Sequence, residues 1–195
     1  ILIFFKPYFI FILLLIINND ILSQNNNDYS LSKTVTNLEN VELKERLYSL
    51  KYSEPNKAIS ICLKSLEEFI PDGPSSTTLF LYSTLGELYL KKNLPVLALS
   101  YLEDAMYEYN LLKHSSSDQA VILNTQTDKQ PWLVINIGNI FFKQGEYKKA
   151  LKRYQLSEAL FLEIDSIIPK SRGLATTYNN IALCNIESKE YNKAL

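Results

Sequence analysis

Twelve residues separate one small residue from the next in three stretches of this chain: Gly86 from Ala98, Gly138 from Ala150, and Ala182 from Ala194. Around the first small residue of each pair, larger residues recur at fixed offsets. They are Tyr82, Leu85 and Tyr89 in one stretch, Val134, Ile137 and Phe141 in the next, and Tyr178 and Ile181, with Asn185 in the last place, in the third. After the second small residue come Leu102 and Ala105 in the first stretch and Tyr154 in the second. Steps of three and four put each set on one face of a helix. The breakers Asn93 and Gln144-Gly145-Glu146 fall between the two small residues, so each stretch predicts two helices and a turn. The small residues let two backbones approach where the helices cross, and the large ones fill the space around the crossing. A pair of this kind buries only one face of each helix and needs neighbours on both sides to complete a core.

The stretch from Pro131 to Ile164 is the clearest copy. The upstream copy predicts helices over 76–92 and 94–113, with Pro95 in a first turn, where its missing N–H costs nothing. A weaker fourth copy precedes these, because Ala58 lies twelve residues after Arg46. It predicts a helix over 37–52, with Thr36 and Glu39 at capping-box spacing. Its partner starts at Ser53-Glu54-Pro55 with Ser53 as cap, and buries Ala58, Ile61, Cys62, Leu66 and Phe69. The last copy reads as a turn over 167–173, containing Pro169 and Gly173, then a helix over 174–188. Gly86 and Gly138 are 52 residues apart, against 44 from Gly138 to Ala182, so residues 113–130 read as an inserted loop, structural or binding.

The pattern resembles the tetratricopeptide repeat, whose W-x2-L-G-x2-Y and A-x3-F positions are matched by the residues above with conservative replacements. The resemblance implies an all-α fold: a right-handed superhelical solenoid of antiparallel helix pairs, three to four repeats long, over residues 36–195 with the last repeat incomplete. It also implies a non-catalytic scaffold that binds a protein or peptide on its concave face, which the first helix of each pair lines. Counted from the matched small residues, the lining positions are Ser83, Glu87 and Leu90, then Ile135, Asn139 and Phe142, then Asn179, Leu183 and Ile186, with Trp132 near the groove mouth. Asparagine beside apolar residues suits an extended peptide or a helix, the amide bonding main chain and the apolar residues forming pockets. Members of the family that clamp a C-terminal carboxylate place lysine or arginine at such positions; none stands there in this chain.

Residues 1–24 open with an apolar run, Tyr8 to Ile17, behind Lys6. The run is shorter than the ~20 residues a membrane span requires. It reads as the core of a secretory signal ending near Ser23-Gln24 or, with Ile1 to Phe5 counted, as an N-terminal membrane anchor; a misread frame is the third reading. Residues 25–35 are polar and aperiodic and read as a disordered lead-in. The repeats are then expected outside the cytoplasm, periplasmic or membrane-anchored. With no methionine at position 1 and a helix only begun at Leu195, the chain reads as a fragment of a longer protein. Composition and the signal resemble exported repeat regions of Bacteroidetes-type sensor or regulator proteins, which implies a sensor part of a longer signalling protein. The alternative is a structural or assembly factor of the bacterial envelope without an output domain.

Net charge is −1, with both signs interleaved, so nothing points to nucleic acid. His114 is the only histidine, and no phosphate loop, HExxH or CxxC occurs. Glu103 and Asp104 are adjacent, and Glu163 and Asp165 lie two apart; neither spacing aims two carboxylates at one point of a helix face. No catalytic, cofactor or metal site is expected within these residues. Cys62 and Cys184 fall in the first and last copies, too far apart in such an array to be bridged, and read as packed thiols.

Overall fold

The computed structural model describes residues 40–114 and 129–189, and every regular element among them is helical. Residues 1–24, the lead-in 25–35, the Thr36 and Glu39 cap, most of the 113–130 insert and Ala194 lie outside the described residues. The chain divides into two compact units, residues 1–49 and 50–195. In the first, residues 40–49 are helical and Ser49 Oγ donates to the Arg46 carbonyl at 2.8 Å. They belong to helix α1 (residues 40–53), whose last four residues open the second unit.

The second unit continues with α2 (Pro55–Phe69), a 3-10 turn at Ile70–Asp72, α3 (Ser76–Lys91), α4 (Pro95–His114), α5 (Lys129–Lys143), α6 (Tyr147–Leu162) and α7 (Ile167–Glu187). Each starts for a local reason. Pro55 opens α2 behind Glu54, which takes the N-cap position in place of the expected Ser53 and makes no side-chain cap bond. The α2 stripe also turns by one residue: Ala58, Ile59, Cys62, Ser65 and Leu66 are buried, while Ile61 and Phe69 are half-buried. At α3, Ser75 and Thr78 form a reciprocal cap, with Thr78 N donating to Ser75 Oγ at 3.0 Å and Ser75 N to Thr78 Oγ1 at 2.9 Å.

The helices α3, α5 and α7 end in the same way. Asn93, Gly145 and Lys189 have φ of 59°, 75° and 63°, and each stands seven residues after Gly86, Gly138 or Ala182. Their amides donate three residues back, to Leu90, Phe142 and Ile186, at 3.0 to 3.1 Å. Leu94 and Glu146 donate five back, to Tyr89 and Phe141, each at 2.9 Å. The two bonds together satisfy carbonyls that a helix C-terminus otherwise leaves free.

Both glycines lie at the crossings the spacing predicts. A Cβ on Gly86 would fall 2.5 Å from Leu102 Cδ2 and 3.3 Å from the Ala98 carbonyl, and one on Gly138 would fall 2.6 Å from Tyr154 Cε1. Around the first crossing, Leu79, Leu90, Ala98, Leu102 and Ala105 join Leu133, Ile137 and Ile140 in one core cluster, so α5 closes the α3/α4 pair. Tyr101 stacks on Tyr89 at 5.3 Å beside it. A second cluster joins Ile135, Ala150, Tyr154, Phe161 and Cys184 of α5, α6 and α7 with Ile164 of the segment between α6 and α7. Full burial of side chains such as Leu102, Ile140 and Phe161 contributes ~1.5–3 kcal/mol each.

The start of α7 departs from the expected turn. Helix begins at Ile167, with Pro169 in the first turn and Gly173 inside it. A Cβ on Gly173 would fall 2.2 Å from Phe161 Cε1, so this glycine serves close packing under a buried ring rather than chain reversal. Successive helices from α2 to α7 pack on one another, and α5 also touches both α3 and α7. Cys62 and Cys184 are buried free thiols. Among the described residues no helix is long and apolar enough to cross a membrane.

Candidate functional site

The contacts of α5 with α3 and α7 bring these three helices side by side, and polar side chains link them. Glu87 on α3 is the first junction: Lys51 of α1 pairs with its Oε2, and Asn136 of α5 donates to its Oε1 at 3.2 Å. Asn139 is the second: its Oδ1 accepts from the Tyr154 hydroxyl at 2.8 Å and from Asn180 Nδ2 of α7 at 3.3 Å. Burial and the nearby Cys184 push the Tyr154 pKa well up, so this hydroxyl stays a donor.

The two junctions are equivalent in register. Glu87 and Asn139 each follow the glycine of their helix by one residue, while Asn136 and Asn180 each precede Gly138 and Ala182 by two. An acceptor of one helix thus takes an amide proton from the corresponding point of the next, at both steps. Asn136 and Asn180 escaped the sequence reading, although the signal was there. Each is followed by Ile and then the small residue.

By exposure the predicted lining residues are half-buried, exposed or buried. Glu87 and Asn139 are half-buried in the polar row, and Asn179, Leu183 and Ile186 stand exposed on α7. Phe142 and Trp132 are half-buried; Phe142 meets Tyr147 edge-on at 5.4 Å, and Trp132 meets Phe161 likewise with Arg172 over its ring. Ser83 donates to the Leu79 carbonyl of its own helix at 2.7 Å. Leu90 and Ile135 must be corrected: at 9% and 2% exposed they lie in the two core clusters. Because α5 packs against four helices, flanks counted as open face are taken up by its neighbours.

A depression of about 410 Å³ lies elsewhere, between α4, α5 and α6, floored by Met106, Val134, Ile137, Phe141 and Leu156, with Glu103 and Arg153 among its lining. Among the described residues no group of three or more His, Cys, Asp or Glu could hold a metal ion. The polar row offers amide donors and acceptors beside aromatic and aliphatic side chains. No family model, no curated protein and no solved structure matches the chain.

Proposed function

We propose that this chain is a non-catalytic, tetratricopeptide-like scaffold that binds a protein or peptide along the face formed by α3, α5 and α7. The reading of the fold as a solenoid is supported by three things that share one register: the twelve-residue spacing, the glycines under Leu102 and Tyr154, and the left-handed residue seven places on. The binding reading rests on one observation above all. Amide groups at Asn136 and Asn139 on α5 and at Asn180 on α7 join Glu87 on α3 in a polar row, beside half-buried Phe142 and exposed Leu183 and Ile186. Amides can bond a bound main chain while the apolar residues receive its side chains. The apolar run at Tyr8 to Ile17 supports export, and we read the scaffold as an extracytoplasmic sensing part of a longer signalling protein.

The test is selection from a displayed library of random peptides against the full chain, followed by affinity measurement on the Asn139→Ala/Phe142→Ala variant. Loss of an amide bond and an aromatic contact is expected to weaken selected peptides by about tenfold or more, since each such group contributes on the order of 1 kcal/mol. Circular dichroism checks that the variant is folded. Unchanged affinity in a folded variant would sink the assignment of this face.

A further inference from the structure

Three helices bring ammonium groups to the same end of this polar row. Lys91 and Lys143 are the last residues of α3 and α5, each five places after its glycine, and Lys51 comes from α1. Lys143 Nζ donates to the Leu90 carbonyl at 3.1 Å, which sets it beside the end of α3. Lys91 Nζ lies 4.8 Å from the Tyr52 ring centre and Lys51 Nζ 5.8 Å from the same ring. Lys92 Nζ donates to Asn56 Oδ1 close by. Against these four cations stands Glu87, whose two oxygens are already taken by Lys51 and Asn136. Lys91, Lys92 and Lys143 are not among the lysines seen paired with a carboxylate, which include Lys51, Lys57 and Lys149.

A cation at a helix C-terminus gains ~0.3–1 kcal/mol from the helix dipole, which accounts for Lys91 and Lys143 taken singly. It does not account for Lys51, which is only 19% exposed at its side chain and shares an aromatic ring with Lys91. Burial first, and the charge of Lys91 second, lower the Lys51 pKa. Half-buried Lys51 and exposed Lys91 are therefore held near each other as like charges, an arrangement that an incoming anion relieves.

We propose that the peptide bound on this face is acidic, and that its Asp or Glu carboxylates sit on Lys91 and Lys143 while its main chain runs past Asn136 and Asn139. This rests on the peptide-binding reading above and adds its chemistry and its direction. The equivalent place on α7, five residues after Ala182, is Glu187, so the acidic residues lie toward the α3 and α5 end and not toward α7. A nucleic acid fits less well, because its affinity comes from a continuous run of phosphate contacts, and here the cations are bounded by Glu87 and Glu187.

The same library distinguishes the two ideas. Peptides selected on the full chain are expected to be enriched in Asp and Glu. Selection on the Lys91→Gln/Lys143→Gln variant, its fold verified by its melting curve, should still yield peptides that depend on Asn139 and Phe142, without the enrichment. A labelled acidic peptide from the first selection should lose about tenfold in affinity or more between about 50 and about 500 mM NaCl, where screening shortens. Selected peptides without acidic enrichment, or enrichment that survives the double substitution, overturn the acidic assignment and leave the groove standing. Failure to select any peptide on either protein overturns the groove and the acidic assignment together. Tighter binding of a labelled oligothymidine than of the acidic peptide overturns the peptide as occupant.

Discussion

Gly138→Ala tests the crossing on which the whole register depends. In an exposed helix this change would stabilise by about 1 kcal/mol, because alanine loses less backbone entropy. Here the added Cβ falls 2.6 Å from Tyr154 Cε1 and 2.9 Å from Cδ1, far inside normal contact. Tyr154 cannot simply swing away, since it is 1% exposed and its hydroxyl is held by Asn139 at 2.8 Å. Overpacking of this kind costs about 1–3 kcal/mol. Displacing the hydroxyl forfeits about 0.5–1.5 kcal/mol more. After the propensity gain is subtracted, the net loss centres on about 2 kcal/mol, or roughly 4–8 °C in Tm for a chain of this size. Thermal and urea unfolding followed by circular dichroism give the number, and the same substitution in a Tyr154→Ala background gives its origin. With the ring gone, Gly138→Ala should become neutral or stabilising. A parent-like Tm for the single variant, or an equal penalty in both backgrounds, would refute the close approach.

The turn residues offer a second, opposite pair of changes. Gly145→Ala, at φ 75°, should cost about 1 kcal/mol, whereas Lys189→Gly, at φ 63°, should gain about as much, both read from chemical denaturation. Burial pushes the Cys62 thiol up to about 12 and the Cys184 thiol up to about 11, so a thiol reagent at pH 8 should react slowly with the folded chain and rapidly once denaturant unfolds it. Glu108, which accepts from Thr78 Oγ1 at 3.0 Å, has its pKa raised, chiefly by burial. The folded state therefore holds this proton more tightly than the unfolded one. Its contribution is fully present below the ordinary glutamate value of 4.5 and fades as pH rises through the folded value. Glu108→Gln should accordingly flatten the part of the stability profile between neutral pH and about 4.5 that belongs to this group, as measured by urea unfolding at stepped pH.

The pairing of α3 with α4 and of α5 with α6 was legible because it depends on local spacing, and spacing survives in sequence. Gly86, Gly138, Leu102 and Tyr154 were found where the twelve-residue step puts them. The contacts between successive pairs were harder to read. Leu90 and Ile135 look like open-face residues when each helix is taken alone, yet neighbouring helices cover them. Gly173 looks like a breaker when only chain direction is considered, but Phe161, twelve residues earlier and on another helix, decides its role. In the polar row, Glu87 and Asn139 were reached by counting forward from the glycines. Their partners Asn136 and Asn180 required knowing which point of the next helix comes alongside. Lys51 joins Glu87 from thirty-six residues away, and no periodicity within either helix announces that meeting.

The left-handed residue that ends α3, α5 and α7 also bears on the order in which the chain acquires structure. Its own amide bonds three residues back, and at α3 and α5 the next amide bonds five back, so closing them requires almost no search through loop conformations. Each reversal can therefore form while the rest of the chain is still open, bringing Gly86 to Leu102 and Gly138 to Tyr154 before any pair meets another. Docking between pairs, with the Asn136 and Asn180 amides finding acceptors 49 and 41 positions away, becomes the late and slower event. A substitution at the turn should slow folding, and one in the amide row should chiefly hasten unfolding.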